Sequence, residues 1–106
     1  MKPSEVLRKA RALIEKPENW TQGAYARDVK KDGLTSPLSD QACAWCMMGA
    51  MQRCSPNDYF ARQHGYELLR KLGGVEYVGE FNDTHTHAEV LSLFDRAIAA
   101  AEARGE

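Results

Sequence analysis

The sequence has few cysteines, no long hydrophobic run and no excess of charge of one sign. Three cysteines in 106 residues are few and odd in number, which argues against a disulfide scaffold and indicates reduced thiols. The longest apolar run, Ala42 to Met51, is too short to cross a bilayer, and the first residues lack the apolar region of a signal peptide. We therefore expect a cytoplasmic protein with no membrane partner.

The charge balance excludes a further class of partner. The net charge is -1, and the basic residues are scattered along the chain instead of forming the patch that nucleic-acid-binding domains carry. A glycine-rich phosphate loop, a zinc-protease motif, an EF-hand loop and a serine elbow are also missing. We therefore expect no nucleic-acid partner, no cofactor and no catalytic residues.

Length and composition are typical of one globular domain over residues 1–106. Hydrophobic residues make up 43% of the chain and charged residues 27%, close to the averages for soluble domains. A chain of this length buries roughly two thirds of its unfolded surface when it folds. We predict a mainly α-helical domain of about four helices with a minor β-hairpin or extended loop.

The two ends of the chain have the clearest helical patterns. Apolar residues recur on one helix face over 3–16, and Pro17 ends that run. The segment 86–103 has a similar stripe, and Thr86 and Glu89 have the spacing of a capping box. Both segments are predicted to form helices.

The middle of the chain has weaker signals. We predict helices over 39–53 and 56–72, and Gly65 in the second one suggests that another backbone approaches closely. The turn residues within 20–36 favour a hairpin or an ordered loop, and the segment 75–80 is a candidate for another short strand.

The stretch "ACAWCMMGAM", Ala42 to Met51, is open to several interpretations. In a helix, Cys46, Gly49 and Ala50 share one face, where Cys46 is a small buried packing residue and Gly49 admits a close neighbour. We favour this interpretation, because core packing is the default for such a pattern.

A small zinc-binding module is the first alternative, because thiolates and imidazoles are natural zinc ligands. The candidate ligands are Cys43, Cys46, Cys54, His64, His85 and His87. A second closely spaced ligand pair is missing, and we expect no metal site. A redox role for the same C-x-x-C pair lacks the usual strand-to-helix context.

A cysteine-dependent hydrolase or acyl transferase is the second alternative. Its nucleophile is Cys46 or Cys43, its base is a histidine, and its orienting group is an asparagine or aspartate. The residues that supply the base and the orienting group are His85, His87, Asn82 and Asp83. Turn formation and helix capping explain the same "NDTHTH" segment without catalysis.

Three blocks resemble a family of small uncharacterised bacterial and phage proteins that form a domain of unknown function. The blocks are "WTQGAYARD", "WCMMGAM", and "FND" with the helical "EVLSLFDRAI" after it, and they extend from Trp20 to about Ala100. Cys43 and Cys54 lie outside the family pattern, which further disfavours the zinc and redox interpretations.

The resemblance implies that Trp20, Cys46 and Asn82-Asp83 come together, either as a structural knot or as one pocket. We favour the knot, because a buried Asn or Asp normally accepts hydrogen bonds from backbone N–H groups. Together with Asp28, these are the candidate binding or structural residues. We expect a non-enzymatic protein-binding or regulatory accessory module of bacterial or phage origin, acting on host machinery, whose partner is another protein or a second copy.

Overall fold

Two amphipathic helices from the ends of the chain pack against each other. The computed structural model describes residues 1–106 and places α1 at Pro3–Leu13 and a C-terminal helix at His87–Ala103. Thr86 Oγ1 accepts from Glu89 N at 3.2 Å, and Glu89 Oε1 accepts from Thr86 N at 2.9 Å. The predicted capping box is therefore present, and both predicted helices are confirmed, the first ending three residues early.

A small antiparallel sheet lies between these helices in the sequence. Strand β1 is Ala26–Asp28 and strand β2 is Ala42–Trp45, with Ala26 opposite Trp45. A single bridge joins Leu34 to Arg27 on the other side of β1. The loop predicted over 20–36 therefore contributes β1, but the main partner strand comes from a segment that was predicted to be helical.

The helix predicted over 39–53 is wrong in its first half. The chain is extended through β2, changes direction at Cys46, and then forms helix α2 at Met47–Cys54. Backbone pairing with β1 and a hydrogen bond from the Trp45 indole Nε1 to the Pro37 carbonyl, at 3.1 Å, hold this part extended. These long-range contacts override the helical spacing of the side chains.

The next helix, α3, occupies Tyr59–Gly73. It begins later than predicted because the Asp58 side chain, accepting from Ala61 N at 3.3 Å, is its cap. Gly65 faces the side chains of Met51 and Leu7, so the backbone approach suggested for this glycine is not found.

The strand proposed over 75–80 is also wrong, because helix α4 occupies Val78–Thr84 and the C-terminal helix is therefore α5. Val78, Phe81 and Asn82 are its buried residues, three and four positions apart as on one helix face. The fold has five α-helices instead of about four, and it remains mainly helical with a minor sheet, as predicted.

The hydrophobic core lies where the helices meet. Helix α1 packs against α2, α3 and α5, while α4 contacts α2 and α3. The largest fully buried apolar side chains are Phe94, Leu7, Ile14, Met47, Met51, Leu69 and Leu93. No helix combines the length and the apolar character needed to span a bilayer.

Candidate functional site

Cys46 stands at the boundary between β2 and α2. Its backbone N–H donates to the Tyr25 carbonyl at 3.2 Å, and its Sγ accepts from Gly49 N at 3.3 Å. Cys46 is therefore the N-cap of α2, not a residue in the middle of a helix as predicted. Gly49 lies so close to Tyr25, the residue before β1, that an added Cβ would stand 1.9 Å from the Tyr25 carbonyl oxygen.

The Asn82 side chain joins three distant segments of the chain. Its Oδ1 accepts from the Trp20 indole Nε1 at 2.8 Å and from Met47 N at 3.0 Å. Its Nδ2 donates to the Thr21 carbonyl and to Asp83 Oδ1, both at 3.0 Å. Asn82 is fully buried, and every polar atom of its amide has a partner. We call this group the junction.

The loop after Trp20 adds further bonds to the junction. Gln22 Nε2 donates to the carbonyls of Asn82 and His85, both at 3.0 Å. Gly23 N donates to Asp83 Oδ1 at 3.0 Å, with φ at +76°, a conformation that glycine adopts without strain. The same carboxylate oxygen thus fixes the loop on α4.

The structure brings together four of the five candidate residues. Trp20, Asn82 and Asp83 belong to one hydrogen-bonded group, and Cys46 directly precedes Met47, whose N–H takes part in it. Asp28 lies apart, at the end of β1, where its Oδ1 accepts from Lys30 N at 3.0 Å within a turn.

A cleft of about 540 Å³ opens beside the junction. We call it the main cleft. Most of its lining is apolar, and the only charged side chain in the lining belongs to Asp83. The lining residues are Gly23, Ala24, Tyr25, Ala26, Leu34, Thr35, Cys46, Met48, Tyr77, Gly79 and Asp83.

A second, smaller cleft of about 210 Å³ adjoins the first. We call it the side cleft, and the two share Met48 and Tyr77. The two clefts therefore adjoin each other on either side of Met48 and Tyr77, on the surface of α2, α3 and the start of α4, and we call them together the groove. The side cleft is lined by Met48, Gln63, Tyr66, Glu67, Arg70, Glu76, Tyr77 and Val78.

The geometry does not assemble a cysteine nucleophile with a histidine base. Burial raises the pKa of the Cys46 thiol, and the negative charge of Asp83 raises it further, although backbone N–H groups act in the opposite direction. No histidine lines the main cleft. His85 Nδ1 lies 2.9 Å from the Phe81 carbonyl, and His87 Nε2 lies 2.6 Å from the Ile14 carbonyl.

Cys43 has no such arrangement either, and the proposed zinc ligands do not converge. Cys43 Sγ donates to the Asp28 carbonyl at 2.9 Å, whereas Cys54 ends α2 and has its thiol pKa raised by burial. No three His, Cys, Asp or Glu side chains are grouped so that they would hold a metal ion. The zinc interpretation thus gains no support from the fold.

Several residues of the groove have no signal in the sequence. Met48 and Tyr77 separate the two clefts, and Gly79 and Leu34 lie in the main cleft. The sequence pattern around Tyr77 and Gly79 favours a strand instead of a helix, and Cys46 is not among the residues usually preferred as helix caps. The three sequence blocks around Trp20, Cys46 and Asn82 are the signals that point to this part of the molecule.

The chain is thus a small, mainly helical domain in which a buried asparagine joins a loop, a strand-to-helix boundary and a short helix. The chain matches a family of unknown function, DUF6197, over residues 1–100, and it belongs to this family. The resemblance to a domain-of-unknown-function family is confirmed. No curated protein and no solved structure matches the chain significantly.

Proposed function

We propose that this protein is a small non-enzymatic protein-binding module that receives an apolar segment of its partner in the main cleft. The observation that carries the proposal is the apolar lining of this open cleft together with the residues around it. Tyr25, Leu34 and Tyr77 are 54%, 73% and 68% exposed. Contiguous exposed apolar surface of this kind typically marks an interaction site in a soluble domain.

The groove has the shape expected for a chain segment. The main cleft is open, and the side cleft adjoins it on the other side of Met48 and Tyr77. A small molecule is usually enclosed on most sides, whereas an extended peptide lies along a groove and places successive side chains in separate depressions. The two adjoining depressions therefore favour a peptide segment.

The junction supplies a rigid wall for the groove. Asn82 and Asp83 fix the loop at Trp20 and Gly23 to α4, so that the cleft is formed before a partner binds. A preformed site avoids the entropic cost of ordering a loop during binding. The structural knot that the sequence analysis favours corresponds to the junction, and the proposed binding site lies directly beside it.

The raised pKa of the Cys46 thiol also supports a binding role over a catalytic one, because the thiolate is the reactive form. Three free thiols suit the reducing cytoplasm. A bacterial or phage origin and an action on host machinery rest on the resemblance of the three sequence blocks and belong to the same proposal.

A cleft-filling variant tests this function. An added Cβ at Gly79 would meet only Met48 Sδ within 4 Å, at 3.7 Å, which is ordinary van der Waals contact, so we expect the longer side chain of Gly79→Leu to occupy part of the main cleft. Peptides are selected from a random display library on the wild-type protein, and their affinities are measured by fluorescence anisotropy. We expect Gly79→Leu to weaken binding by about tenfold or more, and Gly79→Ala to change it by less than about twofold.

The Gly79→Ala variant is the matched control, because it makes the same change in helix propensity with little added volume. Thermal unfolding followed by circular dichroism shows that each variant is folded. Peptides that bind Gly79→Leu as tightly as the wild type, or a library that yields no binder, would contradict the proposal. Self-association that Gly79→Leu abolishes would identify a second copy as the partner instead.

A further inference from the structure

We infer that the segment bound in the groove is basic as well as apolar, with Lys or Arg side chains that lie against Asp83 and Glu76. This inference rests on the proposed function and specifies the chemistry of the partner. It concerns a protein segment, since the phosphates of nucleic acids and of anionic lipids would be repelled by the same carboxylates.

The charges in the groove are unbalanced. Asp83 lies in the main cleft, and Glu67, Glu76 and Arg70 lie in the side cleft. Arg70 Nη2 pairs with Glu67 Oε1 at 2.6 Å, which leaves Asp83 and Glu76 without an ion pair. Arg70 is also close enough to Glu76 for the two charges to interact, so three carboxylates share one guanidinium and the groove keeps an excess of negative charge.

Asp83 is oriented for a ligand. Its Oδ1 is held by Gly23 N and Asn82 Nδ2, both at 3.0 Å, while its Oδ2 has no hydrogen-bond donor. The nearby Arg27 guanidinium donates to Thr21 Oγ1 at 2.7 Å and to the Gln22 carbonyl at 3.0 Å, and it makes no ion pair with Asp83. A cation from the partner would therefore meet a fixed carboxylate with one available oxygen.

The apolar lining strengthens this preference. Asp83 and Glu76 are exposed, so water screens their charges in the free protein, and their attraction for a cation grows when a bound segment covers the groove and excludes that water. Opposite charges across an interface also select among partners and orient them, more than they raise the overall affinity. The apolar side chains supply the contact area, and the two carboxylates select segments that carry positive charge.

The test compares parallel selections from one peptide library on the wild type, Asp83→Asn and Glu76→Gln. Asp83→Asn keeps an acceptor oxygen for Gly23 N and removes the charge. We expect Lys or Arg to be enriched beside apolar residues on the wild type. Replacing that Lys or Arg with norleucine should weaken binding to the wild type by about fivefold, and to the matching charge variant by less than about twofold.

Glu18→Gln is the control, because it removes one negative charge from a residue that lines neither cleft. This variant should keep the preference for Lys or Arg. Peptides that are sensitive to Gly79→Leu but show no cation preference would overturn this inference and leave the proposed function intact, as would a preference that neither charge variant reduces. Peptides insensitive to Gly79→Leu would overturn both.

Discussion

The buried amide of Asn82 fixes the spacing of three segments that are far apart in the chain. It satisfies two N–H donors, from Trp20 and Met47, and the Thr21 carbonyl accepts from it. A buried polar group that loses its partner costs about 1–3 kcal/mol, since no water replaces the bond fully. The junction therefore concentrates much of the stability of the loop in one side chain.

We predict that Asn82→Ala lowers the free energy of unfolding by about 3 kcal/mol, because it leaves the Trp20 and Met47 donors without their acceptor. Urea titration followed by circular dichroism measures the loss. Asn57→Ala, at an exposed position, should change the free energy by less than about 0.5 kcal/mol. Equal effects of the two substitutions would show that the junction carries no special share of the stability.

The close contact between α2 and Tyr25, the residue before β1, requires glycine at position 49. Gly49 lets the helix approach the Tyr25 carbonyl, and an added Cβ would lie 1.9 Å from its oxygen and 2.8 Å from its carbon. Because these are backbone atoms, they do not move aside without disturbing the sheet. By contrast, a Cβ at Gly65 would meet the flexible end of Met51 at 2.5 Å.

Gly49→Ala is therefore expected to destabilise the fold by about 3 kcal/mol or more, as overpacking against a rigid neighbour does. Gly65→Ala should stay within about 1 kcal/mol of the wild type, because the gain in helix propensity offsets the displacement of Met51. Denaturant midpoints of the two variants, compared under the same conditions, decide the question. Similar losses for both would mean that the backbone at Tyr25 yields as easily as a side chain.

The elements differ in how far the sequence predicts them. Helices α1 and α5 follow from an apolar stripe with clear end signals, and those local signals agree with the packing. The segment from 39 to 53 has helical spacing throughout, yet its first half pairs with β1. Small and aromatic residues such as Ala44 and Trp45 are compatible with a helix or a strand. Whether this segment forms a strand therefore depends on its pairing with β1, which begins about 16 residues earlier in the chain.

The residues of the candidate site also divide into those that the sequence predicts and those that it does not. The sequence blocks placed Trp20, Cys46, Asn82 and Asp83 together, and hydrogen bonds of Asn82 explain why such distant residues meet. The rest of the groove, such as Met48 and Tyr77, consists of ordinary surface residues without special spacing. Their role depends on the relative position of α2 and α4, which no local pattern predicts.

Over the whole molecule, the pair of helices α1 and α5 lies apart from the groove, since neither helix contributes a residue to either cleft. Helices α1 and α5 are linked at their surface by ion pairs from Arg11 to Asp95 and from Arg8 to Glu102, each at 2.6 Å. Exposed pairs of this kind contribute little to stability. Stability is therefore expected to depend on the buried apolar faces and on the junction.

One buried thiol, one partly buried thiol and one partly buried phenol, all protonated at neutral pH, make the stability of the fold sensitive to high pH. Burial raises the pKa values of the Cys46 and Cys54 thiols and raises the pKa of Tyr66 to about 12. The folded state thus holds these protons more tightly than the unfolded state. Their contribution is complete below the ordinary thiol value of 9.0 and is lost as the pH rises through the raised folded values.

We predict that the melting temperature changes little between pH 7 and 8 and falls above pH 9.0, the ordinary thiol value. Cys46→Ser keeps a side-chain acceptor for Gly49 N and removes the thiol, so its melting temperature should fall less over the same range. Calorimetric scans of both proteins across this range provide the comparison. A parallel fall in the two would assign the alkaline loss to groups other than Cys46.

The two tryptophan indoles are natural spectroscopic probes of two separate hydrogen bonds. The chain has two tryptophans, and each donates its indole N–H to a distant acceptor: Trp20 to Asn82 Oδ1 and Trp45 to the Pro37 carbonyl. Each indole gives one nitrogen-proton resonance, and its frequency changes when its hydrogen bond is lost. A single two-dimensional magnetic resonance spectrum of nitrogen-15-labelled protein therefore distinguishes loss of the Trp20–Asn82 bond in the junction from loss of the Trp45–Pro37 bond beside β2. The same spectrum is recorded for the free protein and with a peptide bound.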